Sequence, residues 1–71
     1  MTVQVFRKNG EYYSTFTGIT SIQYVKELNS FLILKIFTEE EKKLYAKNNF
    51  GEVRDSMSRL FSREDFYFTI L

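Results

Sequence analysis

The densest set of reactive side chains in the sequence is the acidic run Glu39–Glu41, which two lysines follow directly. Paired carboxylates can hold a divalent cation, but this run matches no calcium-loop spacing, and acids beside lysines usually form a solvated surface. Histidine and cysteine are absent, which excludes most nucleophile–base pairs, most general acid–base schemes and most zinc sites. We therefore expect a protein that is not an enzyme and that uses no metal or cofactor.

Tyrosines and basic residues offer a second chemistry, the binding of nucleic acid. Rings exposed on a sheet can stack bases, and lysines can contact phosphates. The net charge is only +1, and the basic residues have acidic neighbours. Most aromatic side chains on strands pair with other strands or fill cores. Nucleic-acid binding is therefore an alternative that is not favoured, and its candidate residues are Tyr12, Tyr13, Tyr24, Tyr45, Lys35 and Lys43.

The last eight residues, EDFYFTIL, suggest a third chemistry, pairing with another protein chain. A strand at a sheet edge is normally protected by lysine, proline or an inward-pointing charge, because its unpaired backbone groups recruit other chains. Residues 66–71 have none of these, so we expect them to lie inside their own sheet or against a second copy in a homodimer. If a helix covers the even-numbered residues of this strand, the partner-binding residues are Tyr67, Thr69 and Leu71. The opposite register would exchange the two sets.

These side chains must be positioned mainly by strands. Asn9-Gly10 is the strongest short hairpin signal, because both residues accept the positive φ of a type I′ turn. We predict an antiparallel hairpin of residues 2–8 and 11–17, a third strand over 19–25 and a fourth over 31–37. The fourth strand, FLILKIF, is apolar on both faces, which is typical of a central strand covered on both sides.

The segment 38–49 fits two structures. Thr38 and Glu41 match a helical capping box, and acids followed by lysines suit a helix. Leu44, Tyr45 and Ala46 are consecutive, however, so a helix here would have no apolar stripe. We prefer a strand over 42–47, with a helix over 39–47 as the alternative.

A helix is predicted for residues 50–62, because apolar side chains recur there at helical spacing. They are Phe50, Val53, Met57, Leu60 and Phe61. The predicted fold is α+β, an antiparallel sheet of about five or six strands with this helix on one face and a C-terminal strand over 66–71. The other face needs a second cover, either by curling of the sheet into a partial barrel or from a second copy.

The chain should form one domain, 1–71, near the lower size limit for independent folding. Eight phenylalanines and five tyrosines must supply most of its core, because no disulfide is available. No apolar run approaches the roughly 20 residues of a membrane span, and no signal peptide is recognisable, so we expect a cytoplasmic protein. Its residue usage is typical of AT-rich genomes. We expect a small non-catalytic binding module, a bacterial or phage accessory protein acting by protein–protein interaction.

Overall fold

The computed structural model describes all residues, 1–71, and contains six strands and one α-helix. In chain order the elements are β1 (Val3–Arg7), β2 (Tyr12–Phe16), β3 (Ser21–Val25), a 3-10 turn (Lys26–Leu28), β4 (Ser30–Ile36), α1 (Glu39–Asn48), β5 (Ser56–Ser62) and β6 (Phe66–Ile70). Sheet A has the strand order β2-β1-β6, and sheet B has the order β3-β4-β5. The predicted α+β class is confirmed, but the strands form two antiparallel three-stranded sheets instead of one.

The predicted hairpin of β1 and β2 is present, with a turn that is not type I′. The Gly10 N–H donates to the Arg7 carbonyl at 2.9 Å, and Gly10 alone in this turn has a positive φ, +92°. The Asn9 side-chain oxygen accepts the Glu11 N–H at 2.9 Å. Asn9 therefore acts through its side chain and not through a left-handed backbone.

A β-bulge interrupts the hairpin between Val5 and Phe6, where Tyr13 is an extra residue on β2. Bulges redirect side chains, because they break the strict alternation of a strand. Tyr13 packs against Phe61 of sheet B with 5.8 Å between ring centroids, instead of sharing the opposite face with Thr15. The bulge thus places one partly exposed aromatic ring at the border of the core.

The chain passes from sheet A to sheet B between β2 and β3. Gly18 has a φ of +66°, which suits glycine. The Ile19 N–H then donates to the Met1 carbonyl at 2.8 Å, beside β1, and the Thr20 N–H donates to the Leu34 carbonyl of β4 at 2.8 Å. Successive residues therefore bond to different sheets, and this crossing holds the two sheets together at one corner.

The inner faces of the two sheets pack on each other, and this packing supplies the cover that β6 needs on one side. Phe61 of β5 is the central ring, with centroids 5.8 Å from Phe16, 5.2 Å from Phe66 and 6.0 Å from Phe68. Aromatic edge contacts of this kind add to the stabilisation from burial itself. The buried apolar core consists of Val3, Val5, Ile19, Ile33 and Phe61.

The outer face of β4 lacks the cover that its sequence predicts. Leu32 and Leu34 are half-buried on this face, and Ile36 is 56% exposed. Leu60 of β5, which pairs with Leu32, lies beside them and is 51% exposed. No helix packs along this face, so the expectation of a β4 strand covered on both sides is wrong.

The preferred strand over 42–47 is wrong, because this segment belongs to α1. Its capping box is complete: the Thr38 hydroxyl accepts the Glu41 N–H at 3.2 Å, and the Glu41 carboxylate accepts the Thr38 N–H at 3.0 Å. Tyr45 packs on Phe37 with 5.9 Å between ring centroids. Capping and this local contact hold a helix that has no apolar stripe.

The predicted helix over 50–62 is also wrong. Phe50 and Gly51 have φ values of +55° and +82°, which a right-handed helix cannot accommodate. Residues 56–62 form β5 and pair with β4 along its whole length. The residues that pair with the inner face of β4 are Met57, Arg59 and Phe61, so the true period is two.

Residues 38–54 form a helical excursion between two paired strands. The Phe37 N–H donates to the Asp55 carbonyl at 2.8 Å and closes its base. The excursion exposes Leu44, Val53 and, completely, Phe50. Its helix is too short and too polar to cross a bilayer, and no other helix of the structure could do so.

Candidate functional site

The free edge of β6 is the first candidate site. β6 pairs with β1 on one side and with no strand on the other. The Lys8 N–H of the β1 side donates to the Asp65 carbonyl at 3.0 Å. Because backbone groups of successive strand residues point to opposite sides, Tyr67 and Thr69 also bond to β1. The groups that point away from sheet A, which we call the β6 edge, are the N–H and C=O of Phe66, Phe68 and Ile70.

The outer face of sheet A carries three rings, Phe6, Tyr12 and Tyr67, which we call the outer aromatic cluster. Tyr67 stacks on Phe6 with 5.3 Å between centroids and 16° between planes, and Tyr12 meets Phe6 edge-on at 5.9 Å. Tyr12 is 55% exposed and Tyr67 is 39% exposed. Rings with one apolar face and one hydroxyl, held rigidly at a surface, are typical of residues that anchor a partner.

The residues predicted to bind a partner lie on or beside this face. Tyr67 belongs to the outer aromatic cluster, and Thr69 is exposed and pairs with Gln4 of β1. Leu71 follows β6 and is 69% exposed, while its N–H donates to the Thr2 carbonyl at 3.0 Å. Of the even-numbered residues of β6, Phe66 and Phe68 pack against rings of sheet B and not against a helix, whereas Ile70 is 61% exposed. The outer face therefore stays open.

A cleft between β2 and β5, which we call the β2–β5 cleft, is the second candidate site. It is an open cavity of about 210 Å³ between β2, one edge strand of sheet A, and β5, one edge strand of sheet B. Its apolar lining residues are Phe16, Ile19, Ile33 and Met57. Its polar and charged lining residues are Thr15, Thr17, Ser58, Lys35 and Arg59.

Unpaired backbone groups border this cleft. The Arg63 N–H donates to the Asn29 carbonyl at 3.0 Å, at one end of the β4–β5 pair. At the other end, the Phe37 N–H donates to the Asp55 carbonyl at 2.8 Å, so odd-numbered residues are bonded at both ends. The odd-numbered residues of β5 therefore bond to β4, and the groups of Ser56, Ser58 and Leu60 point away from sheet B. The same alternation points the groups of Thr15 away from sheet A.

Arg59 is the cation of the cleft that has no acidic partner. Its guanidinium lies 5.7 Å from the ring centre of Phe16 and 5.5 Å from that of Phe61. Its Nη2 donates to the Tyr13 hydroxyl at 3.3 Å. The ion pairs of the protein all involve other residues. Stacking on two rings orients the guanidinium, and most of its donors stay available.

Lys35, the other cation of the cleft, is neutralised by the excursion. Its Nζ lies 2.7 Å from the Glu41 carboxylate, which also accepts the Thr38 N–H at 3.0 Å. The Lys35 hydrogen bond, followed by the Thr38 bond, lowers the pKa of the Glu41 carboxyl from its ordinary value of 4.5. This ion pair ties the first turn of α1 to β4.

The remaining acids of the run are also engaged or solvated. The Glu39 carboxylate accepts from Lys42 at 3.2 Å, and this bond raises the pKa of Lys42 above its ordinary value of 10.5. Asp55 lies 3.7 Å from the same ammonium group. Glu39 of the acidic run thus forms a local ion pair on α1, and the same lysine also contacts Asp55 at the other end of the excursion.

The residues named for nucleic-acid binding do not share one face. Tyr12 is in the outer aromatic cluster, whereas the bulge turns the Tyr13 ring toward Phe61 on the inner side. The Tyr24 hydroxyl donates to the Asn29 side chain at 2.7 Å, at the far end of sheet B. Tyr45 and the exposed Lys43 lie on α1, and Lys35 is paired as described. No common stacking platform brings these residues together.

Sequence reasoning missed two residues of these sites. Phe6 alternates with the core residues Val3 and Val5, so it could have been placed on the outer face once β1 was recognised. Arg59 lies inside the segment predicted as a helix and is not one of the apolar residues that define its spacing. Only the pairing of β5 with β4 places it in the cleft.

Comparisons of the chain with protein-family models, with curated proteins and with solved structures find no match. The functional conclusions therefore depend on the geometry of the chain itself.

Proposed function

We propose that the protein is a non-catalytic binding module that works as a homodimer and docks onto another protein. The observation that carries this proposal is the β6 edge, which leaves backbone donors and acceptors unpaired on a strand with no charged residue between Phe66 and Ile70. An unguarded edge recruits another strand. A second copy of β6 is the simplest partner, because the edge is short and self-complementary.

The other three free strands are less suited to this role. β2 contains the bulge at Tyr13, which distorts its backbone. β5 carries Arg59 on its inner face, and an inward charge protects an edge. The even-numbered residues of β4 bond to the odd-numbered residues of β3, because the odd-numbered residues of β4 bond to β5. The free edge of β3 therefore presents the backbone groups of only two residues, Ile22 and Tyr24. These differences favour β6.

Antiparallel pairing of two β6 edges about Phe68 fits the pattern of backbone groups. Each Phe68 faces its own copy, and each Phe66 faces the Ile70 of the other copy, which gives two hydrogen bonds for each pair. The two-fold axis makes the contact isologous and closed, as most homodimers are. The product is one continuous six-stranded sheet.

Dimerisation also unites the two outer faces. In this register Tyr67 lies beside Thr69 of the other copy, so both outer aromatic clusters join one surface. We propose this joined surface as the place where another protein docks. Exposed rings surrounded by hydroxyl groups match the composition of interface centres.

The mass in solution tests this proposal. Light scattering at micromolar concentration should give twice the monomer mass of 8.5 kDa. Ile70→Lys should return the mass to that of a monomer, because it places an inward charge on the edge at a side chain that is already 61% exposed. Thr15→Lys is the matched control, since it puts the same charge on the opposite strand of sheet A and should leave the dimer intact. A wild-type mass of 8.5 kDa would reject the dimer.

A second candidate function is binding of single-stranded nucleic acid by the outer aromatic cluster. The stacked pair of Phe6 and Tyr67 with Tyr12 beside them supports this alternative, because neighbouring exposed rings can stack successive bases. Lys8 follows β1 at the same end of the sheet. Binding of oligonucleotides that is tight at ~50 mM salt and lost at ~200 mM would favour it over protein docking.

A further inference from the structure

The edge of β5 differs from the β6 edge in the kind of partner that its side chains can accept. The backbone groups of Ser56, Ser58 and Leu60 point away from sheet B and have no strand beside them, and Ser58 lines the β2–β5 cleft. An occupant that satisfies them must supply alternating N–H and C=O groups, as an extended peptide does.

The cavity adds a demand for one apolar group. Its floor is formed by Phe16, Ile19, Ile33 and Met57, and its volume of about 210 Å³ accommodates one aliphatic or aromatic side chain. A strand laid along the β5 edge would point alternate side chains into this space.

Arg59 adds a demand for negative charge. Its guanidinium is held against two rings but has no carboxylate, whereas the neighbouring Lys35 is paired with Glu41. On a strand added to β5, the residue facing Arg59 occupies a non-hydrogen-bonded position, where opposing side chains are closest. A carboxylate there can form a two-pronged bond to the guanidinium.

We propose that the β2–β5 cleft binds an extended peptide segment that pairs with the edge of β5, with an acidic residue opposite Arg59 and an apolar residue opposite Met57. One residue of the peptide lies between its acidic and its apolar residue, because Met57 and Arg59 are two positions apart on the same face of β5. Arg59 then has a double role: it repels strands that lack the acid, and it selects those that carry it. This inference rests on the proposed binding function and names the chemistry of the partner.

Selection from a phage-displayed library of random octapeptides tests the inference. Peptides enriched on the wild-type protein should carry Asp or Glu two positions from Val, Ile, Leu or Phe. Affinity of an enriched peptide should fall about tenfold or more for Arg59→Gln, because the charge-assisted bond is lost. Arg63→Gln is the matched control, since Arg63 lies over the Tyr24 ring outside the cleft and should leave affinity unchanged.

A second readout needs no variant. Titration of an enriched peptide into isotope-labelled wild-type protein should shift the amide signals of Thr15 and Ser58 and the methyl signal of Met57. Shifts confined to other surfaces would overturn the inference, as would a library selection without the acidic-apolar pattern or equal affinity for Arg59→Gln. None of these results changes the mass of the protein, so failure here is distinguishable from failure of the homodimer.

Discussion

β5 and β6 are consecutive strands joined by a three-residue turn, yet they are edge strands of two different sheets. β5 carries a guanidinium on its inner face, and β6 carries no charged side chain along its length. Both expose the same kind of unpaired backbone groups. Side chains, and not backbone availability, therefore decide whether an edge is open to any partner or only to a selected one.

The largest effect should come from substitution of Phe61, the ring of β5 that packs against β6. Phe61→Ala should destabilise the protein by about 3–5 kcal/mol, enough to unfold a domain of this size. Phe61 is 3% exposed and contacts rings of β2 and β6. Urea unfolding followed by circular dichroism measures the loss. Leu60→Ala, one residue away on the outer face, is the control and should cost far less; equal effects would contradict the assignment of the two faces.

A smaller effect is expected when Arg59, the charge that protects the edge of β5, is replaced. Arg59→Ile leaves two unguarded edges on one molecule, so association should no longer stop at a closed pair. Light scattering should then show species larger than the dimer that increase with concentration. The double variant Arg59→Ile with Ile70→Lys moves the protecting charge from the β5 edge to the β6 edge. It should therefore eliminate the species larger than the dimer. A wild-type size distribution for Arg59→Ile would show that Arg59 does not protect β5.

The smallest effect concerns acid. The folded-state pKa of Glu41 lies below its ordinary value of 4.5, so its contribution to stability is complete above that pH and is lost as pH falls through the lowered pKa. Loss of the bond to Lys35 should loosen α1 while both edges keep their structure. The Glu41 carboxyl signal and the helical amide signals in an NMR pH titration measure this. In Glu41→Gln the acid-dependent change in α1 should disappear, and a Glu41 that titrates at its ordinary pKa would contradict the ion pair.

Local signals in the sequence predict part of this fold. Asn9-Gly10 marks the hairpin, and the alternation of Val3 and Val5 with polar neighbours predicts β1. The capping box of Thr38 and Glu41 was visible as well. What favoured the strand over 42–47 was the missing apolar stripe, and the ion pair that anchors this helix joins it to Lys35 on another element.

The failure at 50–62 has a different physical origin. Phe50 and Val53 are exposed loop residues that by coincidence continue the spacing of Met57 and Leu60. The serines at 56, 58 and 62 alternate with larger side chains, which is the two-residue period of a strand. A short apolar pattern does not by itself distinguish a strand from a helix. The cleft could not be predicted, because it forms only once β5 pairs with β4 and sheet B packs against sheet A.

The closed base of the helical excursion has a consequence for protein engineering. Because one hydrogen bond from Phe37 to Asp55 joins its two ends across adjacent strands, residues 38–54 can be exchanged for a tight two-residue turn that leaves an ordinary hairpin. The same junction can accept a foreign loop, since loop-closure entropy rises only slowly with length. The two-sheet framework is thus a scaffold with one graftable insertion point, situated between β4 and β5.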